Sequence, residues 1–404
     1  MTSAIPSYDA NQDQTTSDYA HFQKKRRQAS LPRSDLWLIA TVFALIVLGL
    51  LMVYSSTYKI AYYNSEGETT TTYLYRQAQW VGLGSLILLC CWRIDYRIWQ
   101  RWSTISMFGI LVVLLALPLS FIGKESFGAS RWLVAGGSVQ PSEAAKLITV
   151  IYVAHWASSK GERLQSVQLG LVPFAVLIGF VCGLIMIQPS FSAGLLVGMV
   201  ATTMFFIAGA DLKQLLIAGS ISSVILFLIG ISAAYRLERF QAFIDPFGTE
   251  DGVGYQTAQV LYSLARGGIF GEGLGTSKGN VPALPAGHTD FIFAIIGQEL
   301  GLLFCLVVLG LFLFLGYRGF RIAINAPDAF GMVLGCGLTS WFLYQALMNI
   351  AVVTNSIPPT GIPLPFISFG GSGMLTSLAG VGLLLSISRA QPREIKGKRS
   401  LKSS

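Results

Sequence analysis

The fold is decided by the stretch from Asp290 to Leu315, which reads DFIFAIIGQELGLLFCLVVLGLFLFL. Beyond Asp290, only Gln298 and Glu299 interrupt its apolar and glycine residues. A helix needs about 20 such residues to cross the hydrocarbon core of a bilayer. An ionisable side chain in such a segment is costly and is by default a candidate for function. The stretch therefore predicts a membrane-spanning helix, and Asp290 at its start is the residue to explain.

The composition of the whole chain supports a membrane protein. Of its 404 residues, 53% are hydrophobic and 12% are charged, and the mean hydropathy is +0.60. This apolar content exceeds what the core of one soluble protein could bury. The apolar runs are continuous and lack the short alternating segments of a barrel, so we predict an all-α, polytopic bundle. The five cysteines lie in apolar runs without CxxC spacing, which argues against disulfides and thiolate metal sites.

The hydropathy pattern predicts about ten transmembrane helices. They cover residues 36–53, 79–92, 105–122, 142–156, 169–187, 191–208, 215–234, 290–315, 329–353 and 366–388. Residues 55–76 form the first predicted outer loop, and 235–289 form a large extracellular loop between the seventh and eighth helices. Within that large loop, 255–264 could lie as an amphipathic helix on the membrane face.

The distribution of charge predicts the orientation and the domain limits. Basic residues concentrate in the segments assigned to the inside, as the positive-inside rule expects. We expect a disordered cytoplasmic tail over 1–34, the transmembrane domain over 35–389 and a basic cytoplasmic tail over 390–404. An even number of crossings places both termini in the cytoplasm, and it places Asp290 at the outer face.

Several segments resemble the SEDS family (shape, elongation, division and sporulation), which includes FtsW and RodA. The matching motifs are Ser130-Arg131-Trp132, Gln140-Pro141-Ser142-Glu143 with Lys146, Gln188-Pro189, Asp245-Pro246-Phe247, His288-Thr289-Asp290-Phe291, Glu299-Leu300-Gly301 and the run from Pro363 to Ser372. They occur in order across residues 35–389. The run from Gly271 to Ser277 is more similar to the FtsW branch.

The resemblance implies a peptidoglycan glycosyltransferase that polymerises lipid II on the outer face of the bacterial plasma membrane during cell division. Its expected partners are lipid II, undecaprenyl-diphosphate-linked glycan, a class B penicillin-binding protein, other divisome proteins and the membrane, without nucleic acid. The family's catalytic aspartate maps onto Asp290. Ser190 and Gln298 depart from the common family pattern, so no role is carried over to those two positions.

A carboxylate suits the chemistry that the resemblance implies. A sugar hydroxyl must attack an anomeric carbon, and a base that takes its proton contributes about 10²- to 10⁴-fold. We predict that Asp290 is this base. The alternative is a helix N-cap at Thr289 or Asp290, which would stabilise the helix by about 0.5–2 kcal/mol. The two roles are compatible.

The departing lipid diphosphate requires nearby positive charge. The predicted substrate-binding residues are Arg131, Lys146, Arg239, Lys278 and His288. Lys146 could instead pair with Glu143 across one helical turn, which is worth only about 0.2–0.5 kcal/mol on an exposed helix. Arg131 and Arg239 could instead bind lipid headgroups.

No tightly bound cofactor and no protein-ligated metal are predicted. His288 and Asp290 lie two residues apart with no third ligand nearby, which is a weak metal signal. A divalent cation, Mg²⁺ or Mn²⁺, bridging the substrate diphosphate fits better. Glu299 lies about two and a half turns beyond Asp290 and should face another direction. We therefore expect Glu143 and Glu299 to be structural polar residues.

Two other functions compete with the enzyme. A lipid II flippase would also be a many-helix bundle, but it should carry charged residues along a path through the membrane. Here the distinctive ionisable residues gather near the predicted outer surface. A non-catalytic scaffold of the divisome is the other alternative, and only an activity measurement separates it from an enzyme.

Overall fold

The computed structural model describes residues 34–119, 124–126, 129–132, 140–188, 190–231, 234–248, 252–276 and 287–390. The predicted tails lie outside these residues except for Ser34 and Ala390. Lys278 also lies outside them, and at Arg131 only the backbone is described. The predicted limits of the tails therefore stay predictions.

Helices form most of the described structure. They are α1 (Leu36–Asn64), α2 (Thr72–Arg93), α3 (Tyr96–Leu119), α4 (Pro141–Lys160), α5 (Val172–Ile187), α6 (Phe191–Ile207), α7 (Leu212–Ile231), α8 (Ala234–Ile244), α9 (Gly252–Gly267), α10 (Ile292–Ile324), α11 (Ala329–Val353) and α12 (Gly371–Ala390). A 3₁₀ turn (Gly161–Gln165) and a π turn (Val167–Leu171) join α4 to α5. Between α3 and α4, β1 (Lys124–Ser126) and β2 (Ala129–Trp132) form an antiparallel hairpin. The predicted all-α class is confirmed.

The helices have the lengths and composition of a polytopic membrane protein. Among the described residues, six segments are long and apolar enough to cross a bilayer: Leu36–Tyr63, Tyr96–Ala116, Val167–Ile187, Ile292–Ile324, Ala329–Val353 and Gly371–Ala390. Helix α6 and the first part of α7 are apolar but shorter. Each predicted span overlaps one of the helices α1–α7 and α10–α12. The count of ten crossings stays a prediction.

Helices α11 and α12 form the centre of the bundle. In each, 72% of the most apolar window is buried by protein, compared with 33% in α10. Helix α11 packs against α4, α6 and α10, and α12 packs against α2. Side chains of α11 therefore reach several helices at once.

Helix α1 is longer than the sequence predicts. It continues from the predicted end at Val53 to Asn64, so much of the predicted first outer loop is helical. Two polar residues in this extension have distant partners. Ser55 hydrogen-bonds to Glu299, and the Tyr58 hydroxyl donates to the carbonyl of Gly275 at 3.2 Å. These tertiary contacts stabilise a helical extension that hydropathy alone does not predict.

The large predicted loop, 235–289, contains two helices. Helix α9 confirms and extends the helix predicted at 255–264, but it packs against α10 through a buried face that includes Thr257, Ala258 and Ser263. Helix α8 was not predicted. Its apolar residues alternate with charged ones over only eleven positions, which is a weak helix signal at this length.

Helix α10 is interrupted at Gly301, where φ is 80° and ψ is −179°. This region of backbone space is accessible essentially only to glycine. The break divides α10 into a buried first part up to Leu300 and a long second part that ends at Ile324, beyond the predicted end at Leu315. The first part directly follows Asp290.

The turn after α9 satisfies the backbone groups that the break exposes. Four hydrogen bonds connect them: Glu272 N to Gln298 O (2.9 Å), Gly273 N to Glu299 O (3.0 Å), Leu302 N to Gly268 O (3.0 Å) and Leu303 N to Ile269 O (3.3 Å). The fit is close, because a Cβ on Gly301 would lie 2.4 Å from the amide nitrogen of Gly271. Specific hydrogen bonds and close packing therefore stabilise the break in the folded protein.

Ion pairs fix the helix ends far from Asp290. Near the end of α10, Arg318 pairs with Asp35, the N-cap residue of α1. Asp328 caps α11, accepts the Tyr96 hydroxyl and pairs with Arg97 at 2.8 Å. Burial opposes ionisation of Asp328, but its hydrogen bonds hold its pKa below the usual value. These contacts join α1, α3, α10 and α11 at one end of the bundle.

We expect Gly301→Ala to destabilise the fold. Alanine at this φ and ψ costs about 1–3 kcal/mol, and its methyl group would overlap the turn at Gly271. Gly310→Ala is the matched control, since it lies in the same helix with no atom within 4 Å of the added Cβ. Thermal unfolding in detergent should show a lower midpoint for Gly301→Ala alone. Equal midpoints for both variants would contradict the described break.

Candidate active site

Asp290 lies in a turn immediately before α10. The N-cap position of α10 is Phe291, so neither Thr289 nor Asp290 occupies it. The predicted capping alternative is therefore wrong in its position. The Asp290 side chain is half-buried, and a Cβ on Gly361 would lie 3.4 Å from its Oδ2 atom. The carboxylate thus faces the bare α-carbon of Gly361 in the proline-rich loop between α11 and α12.

The backbone around Asp290 is held from outside its own segment. Three consecutive carbonyls each accept one hydrogen bond: His288 O from Phe369 N (3.0 Å), Thr289 O from Ser368 Oγ (2.6 Å) and Asp290 O from Asn349 Nδ2 (2.7 Å). The donors belong to α11 and to the loop before α12. These contacts attach the turn to α11 and to the loop before α12.

His288 packs among aromatic rings. Its ring centroid lies 5.5 Å from that of Tyr73 and 5.6 Å from that of Phe369. Burial lowers the pKa of His288, so its imidazole is neutral at neutral pH. The predicted role of His288 in substrate binding stays a prediction, and in that role it would act as a neutral hydrogen-bonding group.

Lys146 and Glu143 form a buried ion pair in α4. The Lys146 Nζ atom lies 2.8 Å from Glu143 Oε1 and 3.0 Å from Gln345 Oε1, and the Lys146 side chain is only 3% exposed. It also lies over the ring of Trp341, at 5.5 Å from the centroid. The predicted pairing of Lys146 with Glu143 is confirmed, but the pair is buried, so the value of a few tenths of a kcal/mol for an exposed pair does not apply. The Lys146 amine faces protein groups, and its predicted contact with substrate stays a prediction.

Two carboxamides in α11 connect Lys146 with Asp290. Gln345 accepts from Lys146 and donates to the carbonyl of Pro363 at 2.9 Å. Asn349, one turn further along α11, donates to the carbonyl of Asp290. The sequence interpretation missed both residues, because they carry no charge. Two carboxamides four residues apart in a span without charged residues were the available signal.

Arg239 lies beside the loop that faces Asp290. It is half-buried in α8, and its Nη1 atom donates to the carbonyl of Pro359 at 3.1 Å. Pro359 is two residues before Gly361. The structure therefore brings Arg239 close to the Asp290 turn, whereas the predicted sites Arg131 and Lys278 have no described side chains.

Glu299 connects helices on another side of α10. It is 1% exposed and accepts a hydrogen bond from Ser55 Oγ of α1 at 2.5 Å. The same Ser55 hydroxyl accepts from Gly275 N at 3.0 Å. The neighbouring Gln298 donates to Glu272 at 3.1 Å. Glu299 thus contacts an adjacent helix, as a structural polar residue would, and it does not form part of the Asp290 turn.

Comparison with known proteins establishes the family. Residues 36–393 match the model of the FtsW/RodA/SpoVE family, which is described as a cell cycle protein. The chain belongs to this family. The match covers every helix from α1 to α12 and the whole Asp290 turn. The predicted resemblance to the SEDS family is confirmed.

Related proteins from other bacteria support the assignment. One relative is "Probable peptidoglycan glycosyltransferase FtsW" from Trichlorobacter lovleyi, which is 37% identical over 90% of this chain and 95% of its own. Another is "Stage V sporulation protein E" from Bacillus subtilis, which is 35% identical over 88% of this chain and 97% of its own. The chain therefore resembles FtsW and sporulation members at similar identity.

Two solved structures share the fold. One comes from "Structural coordination of polymerization and crosslinking by a peptidoglycan synthase complex", with a TM-score of 0.73, 25% identity and coverage of 89% of this chain and 98% of the other. The other is the rod shape determining protein RodA from Thermus thermophilus, with a TM-score of 0.66, 24% identity and coverage of 89% and 98%. The second likeness shows the fold alone.

We expect Lys146→Met to destabilise the fold. Removing one partner of a buried ion pair costs about 3–5 kcal/mol, because the other charge stays buried and unpaired. The double variant Glu143→Gln, Lys146→Met removes both charges and should recover most of that stability. Thermal unfolding of the three purified proteins measures this. A single variant that unfolds at the same midpoint as the parent protein would contradict a buried pair.

Proposed function

We propose that this protein is a peptidoglycan glycosyltransferase that polymerises lipid II, with Asp290 as the general base. The observation that carries the proposal is the placement of Asp290: its half-buried carboxylate faces open backbone at Gly361, and its own backbone is held by donors from elsewhere in the fold. Family membership and the names of the relatives support the reaction class.

The geometry suits removal of a proton from an incoming hydroxyl. A sugar hydroxyl is a weak nucleophile near neutral pH, and a positioned base lowers the barrier by about 10²- to 10⁴-fold. The Asp290 turn is fixed by three hydrogen bonds, which keeps the carboxylate in place without cost at the moment of reaction. The hydroxyl oxygen then attacks the anomeric carbon, and the lipid diphosphate leaves with the bonding electrons.

Positive charge for the leaving diphosphate has two described sources. Arg239 lies at the loop facing Asp290 and can offer its remaining guanidinium N–H groups to phosphate oxygens. Lys146 is buried behind Gln345 and would act through its electrostatic field. Arg131 and Lys278 remain proposed contributors. A divalent cation, Mg²⁺ or Mn²⁺, bridging the oxygens of the substrate diphosphate also remains part of the proposal.

The fold and the relatives support a proposal for the cellular setting. We place the protein in the bacterial plasma membrane with both termini in the cytoplasm and Asp290 at the outer face, as the basic segments indicate. A solved relative belongs to a complex that couples polymerisation with crosslinking, which supports a transpeptidase partner such as a class B penicillin-binding protein. A role in division is supported by the FtsW names of several relatives.

The flippase alternative is disfavoured by the centre of the bundle. Helices α5, α6 and α11 contain no Asp, Glu, Lys, Arg or His, and α12 contains only Arg389 in its last turn. A transporter for a charged headgroup should present polar groups along its path. The charged residues of α4 that belong to the site, Glu143 and Lys146, lie near the Asp290 turn.

We expect Asp290→Asn to abolish polymerisation while the protein stays folded. Asparagine keeps the size of the side chain but cannot accept the hydroxyl proton, so turnover should fall by about 100-fold or more. The purified protein, with and without a class B penicillin-binding protein, is incubated with labelled lipid II, and glycan ladders are resolved on a gel. Asp211→Asn is the control, because Asp211 caps α7 at an exposed position and should stay near parental turnover.

Two outcomes would contradict this assignment. An Asp290→Asn variant that still forms glycan ladders at the parental rate would exclude Asp290 as the base. Loss of product in Asp211→Asn as well would attribute the effect to general damage. For Lys146, the double variant with Glu143→Gln reports on function without the unpaired charge, and normal lipid II turnover in that variant would remove Lys146 from the mechanism.

A further inference from the structure

We propose that Asn349 is the positioning residue for Asp290. Its carboxamide Nδ2 donates two hydrogen bonds, to the carbonyl of Asp290 at 2.7 Å and to the carbonyl of Ile362 at 2.8 Å. The side chain is 1% exposed and comes from the central helix α11. One amide group therefore holds the turn that carries the base against the loop that faces it. The inference rests on the proposed function of Asp290.

Both acceptor carbonyls lie in irregular backbone. Asp290 is in the turn before α10, and Ile362 is in the proline-rich loop before α12, so neither carbonyl belongs to a helix. A buried carbonyl without a donor is unfavourable, which gives Asn349 a specific task in a helix without charged residues. An apolar residue of similar size could fill the space, but it could not supply the two donors.

The second hydrogen bond of Asn349 also shapes the space around the carboxylate. Ile362 directly follows Gly361, whose bare α-carbon faces the Oδ2 atom of Asp290. By holding Ile362, Asn349 fixes the position of Gly361 relative to the base. Without the carboxamide of Asn349, Gly361 and the Asp290 carboxylate would no longer be held in a fixed relative position.

Asn349 also fixes the position of Asp290 relative to the buried Lys146. Gln345 lies four residues earlier in α11, about 6 Å along the helix axis. It holds Lys146 through its Oε1 atom and Pro363 through its Nε2 atom. The two carboxamides therefore attach Lys146, the proline-rich loop and the Asp290 turn to one rigid helix.

The first test is kinetic. Asn349→Leu keeps an apolar helix but removes both donors, and a base displaced by about 1 Å can lose about 100-fold in rate. We expect kcat for lipid II polymerisation to fall by about 10- to 100-fold while KM changes by less than about threefold, since ground-state binding does not use the base. Tyr344→Phe is the matched control, because it removes one hydrogen bond between α11 and Thr203 of α6, at 2.8 Å, away from Asp290.

The second test measures position without activity. In an Asp290→Cys background, the rate of labelling by a charged maleimide reports how the 290 side chain is exposed to water. The chain without this substitution supplies the baseline, because its five native cysteines lie within helices α2, α5, α10 and α11. Adding Asn349→Leu should raise the labelling rate at position 290 by about fivefold or more, and adding Tyr344→Phe should not, as expected if a held turn is released locally.

The outcomes separate this inference from the proposed function. Unchanged labelling in the Asn349→Leu background, within about twofold of the control, would overturn the positioning role. Faster labelling together with an active Asp290→Asn enzyme would keep the positioning role and reject Asp290 as the base. If Asn349→Leu does not fold, Asn349→Ser, which keeps a single shorter donor, is measured in the same two assays and should show smaller changes in the same directions.

Discussion

Irregular backbone in an apolar environment must find hydrogen-bond partners, and this constraint organises the structure around Asp290. The turn from His288 to Asp290 obtains three donors from α11 and from the loop before α12. The break in α10 at Gly301 obtains its partners from the turn after α9. The short helix between these two points is thus fixed at both ends by other parts of the chain. The Asp290 carboxylate can be held in an irregular segment because the rest of the bundle supplies the backbone hydrogen bonds that a regular helix would have supplied.

Buried charged groups, like buried backbone groups, need partners within the protein. Lys146 is nearly inaccessible, and its amine is compensated by Glu143, by Gln345 and by the face of Trp341. Such a pair contributes little net stability, because desolvation offsets the attraction between the charges. The pair instead fixes geometry, because Lys146 also holds Gln345 of α11 in one position. Arg239 differs, because it is only half-buried and its described hydrogen bond is to a backbone carbonyl, that of Pro359.

Much of the fold could be predicted from the sequence, because long apolar runs leave a membrane chain few alternatives. Asp290 could also be singled out, since a carboxylate at the start of such a run is costly. The sequence did not allow us to predict the extension of α1, the break at Gly301 or the roles of Gln345 and Asn349. Each depends on a partner far away in the chain, such as Glu299 for Ser55 or Asp290 for Asn349. A hydropathy profile identifies a charged residue in an apolar run as unfavourable. It does not indicate which carbonyl a neutral side-chain amide will hydrogen-bond to.

The contacts of the proline-rich loop explain why the site extends beyond its charged residues. The Pro359 carbonyl accepts a hydrogen bond from Arg239, and the α-carbon of Gly361 faces Asp290. The carbonyls of Ile362 and Pro363 accept hydrogen bonds from Asn349 and Gln345, respectively. Proline lacks an N–H group and restricts φ, so this segment cannot join a helix and offers its carbonyls to side chains instead. A shift of the loop would therefore change the surroundings of Asp290 and Arg239 together. The loop therefore connects Asp290, Arg239 and the central helix α11, although these parts are far apart in the sequence.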